Sequence, residues 1–303
     1  MPSELLTSAQ NPKVKRLLAL QKDSSLRRES GIFVVEGRRE FGHCLAAGFV
    51  PDTVFICPEL YGSGTAGGIS PDASASLSPS HRPVRSGDAL PFTWPLEASD
   101  SGEAPSRMSA PAKTRVFEVT KEIYDRIAYR GGTEGVIAEM RARNLTLNDL
   151  ELPENPLIVV LESVEKPGNL GAVLRSADAA GAHALLVCDP LTDIYNPNVI
   201  RASIGAVFTV PTVACRTADA IPWLQRRGIK ILTAQLQDSS PYYDCDMRRG
   251  TALVMGTEST GLSDTWRRAA NAHVRIPMLG RLDSLNVSVS ASILLFEAVR
   301  QRH

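Results

Sequence analysis

Apolar residues along the chain follow two periods, one helical and one suited to short buried strands. Across residues 11–20, Val14, Leu17 and Leu18 share one side while Lys13, Lys15 and Arg16 surround it, which predicts a basic amphipathic helix. Residues 32–36 and 53–57 read as strands with a helix between them over 37–47. After residue 112 the alternation resumes, with strands at 116–119 and 135–140 flanking a helix at 121–128. The second half is more regular. Strands at 157–161, 183–188, 209–213, 229–234, 252–255 and 273–276 alternate with helices at 170–180, 198–207, 218–227 and 264–270. A long apolar helix over 286–300 closes the series. Strands this short and continuously apolar predict a parallel sheet covered on both faces. Ligands of such sheets bind beyond the carboxyl ends of the strands, which directs attention to the loops after Leu161, Ala234, Met255 and Ile276.

One stretch obeys neither period. From 62 to 112, 32 of 51 residues are Gly, Ala, Ser or Pro, too little apolar surface to offset the entropy of ordering. It is expected to be a mobile insertion. Residues 144–156 contain two prolines among turn formers and predict a linker. The chain of 303 residues therefore divides into a small α/β domain, 1–145, and a parallel-sheet domain, 156–303.

Composition narrows the function classes. Hydrophobic residues at 43% and charged residues at 22% exclude a disordered or fibrous chain. Lysine plus arginine equals aspartate plus glutamate, 33 each, so any nucleic-acid contact must come from a local basic face. Residues 1–50 offer one, with eight basic against five acidic side chains, Lys13, Lys15, Arg16, Arg38 and Arg39 among them. The five cysteines never form a C-x-x-C, which argues against a disulfide framework or structural zinc and suits a reducing cytoplasm. No secretory signal or membrane-length apolar run is seen. The five histidines lack metal-ligand spacing; His183 and His273, at strand starts, are expected to be structural, and no metal is expected. Neither a Ser/His/Asp set nor a phosphate-binding G-x-x-x-x-G-K loop is present.

Three loops remain. The first runs from Glu162 through Asn169 and Gly171 into a helix carrying Arg175. Glycines before a helix N-terminus let an anionic group approach backbone N–H donors, although a plain Gly-Asn turn explains them equally well. Asp189, about 20 residues on, admits a dinucleotide reading as well, but Gly168-x-x-Gly171 is shorter than the G-x-G-x-x-G pattern. The second loop, Met255-Gly256-Thr257-Glu258-Ser259-Thr260-Gly261, makes a tight backbone-lined turn around a carboxylate. The third joins Ile276-Pro277-Met278 to Ser284-Leu285-Asn286-Val287-Ser288 and feeds serines into a core helix, which capping alone does not require. All three would meet at one end of one sheet.

Together these motifs, with Arg201-Ala202-Ser203-Ile204-Gly205, resemble the SpoU (TrmH) family of RNA ribose 2′-O-methyltransferases of the SPOUT class. Asn11-Pro12-Lys13-Val14-Lys15 and Gly31-Ile32-Phe33-Val34-Val35-Glu36-Gly37 are similar to that family's L30e-like substrate-binding domain, whereas 62–112 has no counterpart. The resemblance implies an L30e-like domain followed by a catalytic α/β domain with a C-terminal trefoil knot, a homodimer, and S-adenosyl-L-methionine as cofactor. It places cofactor contacts on Ala234, Gly256, Ile276, Leu285 and Asn286, and catalytic or ordering roles on Asn169, Arg175, Glu258, Ser284 and Asn286. The implied substrate is structured RNA, 23S ribosomal RNA ahead of transfer RNA. Two other readings stay open: a non-catalytic RNA-binding protein, and a nicotinamide-dependent enzyme using Gly168, Gly171 and Asp189.

Overall fold

The computed structural model describes residues 4–61, 114–129, 134–257, 260–281 and 284–303. The expected insertion at 62–112 lies outside the described residues, as does Glu258. In chain order the first half contains β1 (Glu4–Leu6), α1 (Pro12–Lys22), α2 (Ser24–Ser30), β2 (Ile32–Glu36), α3 (Arg38–Ala46), β3 (Pro51–Ile56) and α4 (Pro58–Tyr61). It continues with β4 (Arg115–Val119), α5 (Lys121–Ile127) and β5 (Val136–Arg141). These strands form a five-stranded mixed sheet in the order β1-β4-β3-β5-β2. Helix α1 arises as the pattern predicts: Asn11 caps it, Pro12 opens it, and Val14, Leu17 and Leu20 are buried against the sheet. Helix α2 was not anticipated. Its start and stop are nonetheless written locally, in the Asp23 cap and in Gly31 at φ 63°.

The second half holds β6 (Leu157–Glu162), α6 (Pro167–Ala179), β7 (Ala184–Cys188), α7 (Pro197–Ala202), α8 (Ala206–Thr209), β8 (Thr212–Cys215) and α9 (Thr217–Arg226). Then follow β9 (Lys230–Ala234), β10 (Ser240–Pro241), β11 (Thr251–Met255), α10 (Asp264–Ala269), β12 (Ala272–Arg275) and α11 (Val287–Arg302). Its sheet has seven strands, β10-β12-β9-β11-β6-β7-β8, and every pairing is parallel. Strands β6, β7 and β11 are buried throughout, as expected of a sheet covered on both faces. Both strand-start histidines are structural: Nδ1 of His183 accepts from the N–H of Leu157 at 3.0 Å, and Nδ1 of His273 lies 2.6 Å from Oγ1 of Thr233.

Two expectations are corrected and a third is extended. The helix foreseen over 198–207 is two short ones, α7 and α8, because Ile204 (φ 55°) and Gly205 (φ 87°) turn the backbone left-handed where it passes over His43. The strand foreseen at 209–213 begins only at Thr212; Pro211 separates it from α8, which runs to Thr209. The segment 144–156 connects the two sheets, yet it is packed as well. Leu150 is buried, and Leu145, Leu147 and Leu152 lie against the core formed by β6, β7 and α9. A capping box between Thr146 and Asp149 holds its 3-10 turn at Leu147–Asp149.

The two sheets share a core. Phe33 of β2 stacks on Tyr195 at 4.3 Å between ring centroids, and Phe49 meets Phe208 edge-on at 5.3 Å. The Tyr195 hydroxyl donates to the Arg143 carbonyl at 2.7 Å, and Arg27 Nε lies 2.6 Å from Asp193 Oδ2, with Arg27 buried and Asp193 largely so. Such a desolvated pair across the junction makes removal of either partner costly, because the other charge is left without compensation.

Candidate active site

At the carboxyl ends of β9, β11 and β12 the chain walls a cavity of about 420 Å³, within the range of small-molecule sites. Ala234–Gln237, Met255–Thr257, Thr260–Leu262, Val274–Ile276, Met278 and Ser284–Leu285 line it, with Val287, Ser290 and Leu294 from α11. Three of the four loops singled out from the sequence thus converge here. The geometry of Gly256 explains its residue type: a Cβ there would come within 2.5 Å of the Leu262 N and closer still to the Gly261 carbonyl. The strand end and the returning turn pack backbone on backbone. An antiparallel bridge between Thr257 and Gly261, and the Thr260 N–H donating to Thr257 Oγ1 at 3.1 Å, hold that turn.

The fourth loop contributes indirectly. Neither Asn169 nor Arg175 lines the cavity, but the Asn286 side-chain amide donates to Asn169 Oδ1 at 3.1 Å, joining the start of α6 to the start of α11. The same Asn286 caps α11 through the Ser288 N–H at 3.0 Å. Ser176 and Ser292 hydroxyls meet at 2.7 Å further along the two helices. Of the serines that the third loop feeds onto α11, Ser288 donates its hydroxyl to Asn286 Oδ1 at 2.6 Å and Ser290 lines the cavity. Arg175 sits six residues beyond Asn169, about 9 Å along the helix axis, exposed and without an ion pair among the described residues. Glu162, not among the expected site residues, is buried at the end of β6 and accepts from the Ser263 N–H at 2.8 Å. Its signal in the sequence was a carboxylate ending an otherwise apolar strand. Ser284 and Leu285 are exposed at the cavity mouth, while Ala234, Gly256 and Ile276 are half-buried in its wall.

Gly168, Gly171 and Asp189 do not form a dinucleotide site. A Cβ on Gly171 would lie 2.5 Å from the Ala202 Cβ and 2.8 Å from the Ser203 N, so this glycine serves the contact between α6 and α7. The Asp189 carboxylate is engaged at the start of α9, accepting from the Thr217 N–H at 3.2 Å.

The basic residues of the first half divide. Lys13 pairs with Glu4 at 2.6 Å and lies over the Phe117 ring, and Arg16 lies 3.4 Å from Glu139 and 3.8 Å from Asp52. Arg39 pairs with Glu40, and the Arg38 guanidinium stacks on Tyr61. Lys15 is exposed with no ion pair among the described residues. Burial pushes the Glu139 carboxyl up to about 7, with the Arg16 charge opposing that shift.

The cavity fits an adenosyl cofactor on structural grounds. Its wall is apolar and glycine-lined on one side, and it offers two buried polar atoms without a partner among the described residues, Arg267 Nε and Gln235 Oε1. Arg267 was not singled out from the sequence, whereas Gln235 lies in the loop after Ala234 that was.

An all-parallel α/β domain with an open cleft beyond its strand ends, joined to a smaller mixed-sheet unit, is an architecture suited to binding a small ligand beside a larger substrate. Residues 156–296 match the SpoU rRNA Methylase family and residues 11–76 the MRM3-like substrate binding domain. The latter match runs past the point where the sequence reading began the insertion. A 23S rRNA (guanosine-2′-O-)-methyltransferase of Ralstonia nicotianae is 38% identical over 196 residues, covering 63% of this chain and 79% of the relative. A solved rRNA methyltransferase from Sinorhizobium meliloti, bound to AdoMet, superposes with TM-score 0.76 at 28% identity, covering 98% of each chain. An RNA 2′-O ribose methyltransferase structure superposes with TM-score 0.72 at 32% identity over 99% of each. The chain belongs to the SpoU rRNA methylase family.

Proposed function

We infer that this protein transfers a methyl group from S-adenosylmethionine to a ribose 2′-hydroxyl of 23S ribosomal RNA. The observation that carries this is the cavity at the ends of β9, β11 and β12, walled by the motif loops and tied through Asn286 to Asn169 on α6. The relatives' names favour ribosomal over transfer RNA. The intact motif residues Asn169, Arg175, Ser284 and Asn286, with Glu258 present in the sequence, favour an enzyme over a binding protein with a decayed site.

When bound, S-adenosylmethionine supplies an electrophilic methyl on a sulfonium. The protein's own task is alignment, because in-line displacement at carbon depends on holding the hydroxyl oxygen close and collinear. Ala234, Gly256, Ile276, Leu285 and Asn286 hold the cofactor in this proposal, mostly through main-chain atoms. Arg175 acts as a phosphate clamp and as a positive charge beside the developing alkoxide rather than as the base, because a guanidinium has no acceptor to offer, and the hydroxyl proton leaves to solvent water. Its exposure, without an ion pair among the described residues, leaves it available to an incoming phosphate. Asn169 and Asn286 position the loops against each other, Ser284 offers a hydroxyl at the mouth, and Glu258, outside the described residues, keeps the ordering role that the family motif implies.

The finer architecture is carried over in the same spirit. Residues 1–145 form the L30e-like RNA-binding domain and 156–303 the SPOUT domain, whose C-terminal segment threads a trefoil knot. The return of α11 onto α6 and β11, after the chain has crossed to β12, supports that threading. A homodimer is proposed from α11, which buries Leu294, Leu295 and Ala298 yet leaves Val289 and Phe296 about half exposed seven residues apart. Among the described residues no helix is long and apolar enough to cross a membrane. A cytoplasmic location is proposed because ribosomal RNA is the substrate.

The experiment is Arg175→Ala, assayed for methyl transfer to ribosomal RNA and for cofactor affinity by calorimetry. Transfer is expected to fall at least 100-fold with affinity within about twofold of the parent. Retained turnover overturns the assignment.

A further inference from the structure

We propose that Arg267 recognises the amino-acid tail of the cofactor, its guanidinium taking the carboxylate, with the Gln235 side-chain oxygen accepting from the neighbouring ammonium. The inference rests on the reading of the cavity as the S-adenosylmethionine site.

Buried polar atoms in folded proteins are nearly always hydrogen-bonded, so each exception points to a missing partner. Among the described residues four such side-chain atoms are found, and two of them, Arg267 Nε and Gln235 Oε1, belong to residues lining this one cavity. One is a donor and the other an acceptor. The Gln235 amide is oriented by its own nitrogen, which donates to the Gln237 carbonyl at 2.9 Å and leaves the oxygen as the open group. Arg267 reaches the cavity from α10, where its side chain lies beside Gly261 of the glycine turn.

Charge selects the partner. Arg267 and Arg275 line the cavity, and no carboxylate lines it among the described residues. The cofactor's sulfonium repels a guanidinium, and its adenine and ribose are neutral. Its carboxylate is the one anionic group, and a charge-assisted hydrogen bond to guanidinium is the stronger pairing on offer. The amino group on the same carbon carries donors for Gln235. Binding the tail at this wall directs the sulfonium away from Arg267. A lysine could supply the charge, but not the planar donor set.

The test compares two ligands that share the adenosyl and thioether parts, S-adenosylhomocysteine with the amino-acid tail and 5′-methylthioadenosine without it. Calorimetric titration of Arg267→Met is expected to show at least a tenfold loss for the first ligand and less than a twofold change for the second. Arg267→Lys should lose less for the tailed ligand than Arg267→Met. Retained binding of methylthioadenosine also certifies that the variant cavity is folded. Equal losses for both ligands, or no loss for either, overturn the assignment of Arg267 while leaving the cofactor reading intact. Failure of the parent protein to bind either ligand overturns both.

Discussion

Replacing Gly256 by alanine tests the cavity wall at its tightest point. The added Cβ would sit 2.5 Å from the Leu262 N and nearer to the Gly261 carbonyl, against an ordinary contact of about 3.5 Å. The three nearest atoms are all main chain, so rotating a side chain does not relieve them. The turn must retreat by about 1 Å, straining the bridge between Thr257 and Gly261 and the hydrogen bond from the Gly261 N–H to the Thr257 carbonyl at 3.0 Å. Forcing an extra methyl group into packed structure costs about 1–3 kcal/mol. At about 2 kcal/mol, Tm should fall by roughly 3–4 °C for a chain of this size. The larger effect falls on the ligand. Main-chain donors displaced by about 1 Å no longer make good hydrogen bonds, and losing one or two at about 1 kcal/mol each weakens S-adenosylmethionine about 5- to 30-fold. Differential scanning calorimetry and isothermal titration give both numbers on one sample. Gly168→Ala is the internal control. It lies in the first turn of α6 with nothing within 4 Å of the added Cβ, so it should be neutral or stabilising by up to about 1 kcal/mol. Unchanged Tm and cofactor affinity in Gly256→Ala would refute the wall geometry.

Two further outcomes concern the first half. Glu139, raised to about 7 in the folded protein by burial, has an unfolded value near 4.3, so folding takes up a proton between those limits. Stability should therefore fall as pH rises from about 4.5 to about 7 and level off above, by an amount on the order of 3 kcal/mol; Glu139→Gln removes that slope, and urea midpoints at pH 5 to 8 that decline equally in both proteins count against it. The combined Lys13→Ala, Lys15→Ala, Arg16→Ala variant should bind ribosomal RNA more weakly and flatten the dependence of log K on log salt by about one to three units. Lys15→Ala alone should retain most of that effect, since Lys13 and Arg16 already face Glu4, Asp52 and Glu139. Filter binding across a salt series with unchanged slopes would place the RNA elsewhere.

Much of this protein is written in local pattern. A strand such as Leu157–Glu162, apolar at every position but its last, has few ways to be buried except within a parallel sheet, and Asn11-Pro12 starts a helix by its own chemistry. Periodicity and capping act over a few residues, so they survive without knowledge of the rest of the chain. Loop chemistry was also legible, because glycine, serine and asparagine at strand ends are uncommon outside turns and sites.

Other features were decided only in three dimensions. Gly171 and Gly256 look alike in sequence, yet one serves a helix contact with Ala202 and the other a wall of the cavity. The break at Ile204 and Gly205 follows from the approach of α3, more than 150 residues earlier. Lys13 and Arg16 read as a free basic face until Glu4, Asp52 and Glu139 arrived from other strands. Arg267 carried no motif at all, and Gln235 only its place in the loop after Ala234; burial beside a common cavity, with no partner for either atom among the described residues, marks them. The physical reason is shared by all four. Backbone preference is short-ranged, whereas desolvation, close packing and charge pairing depend on which distant residues the fold brings within a few ångströms.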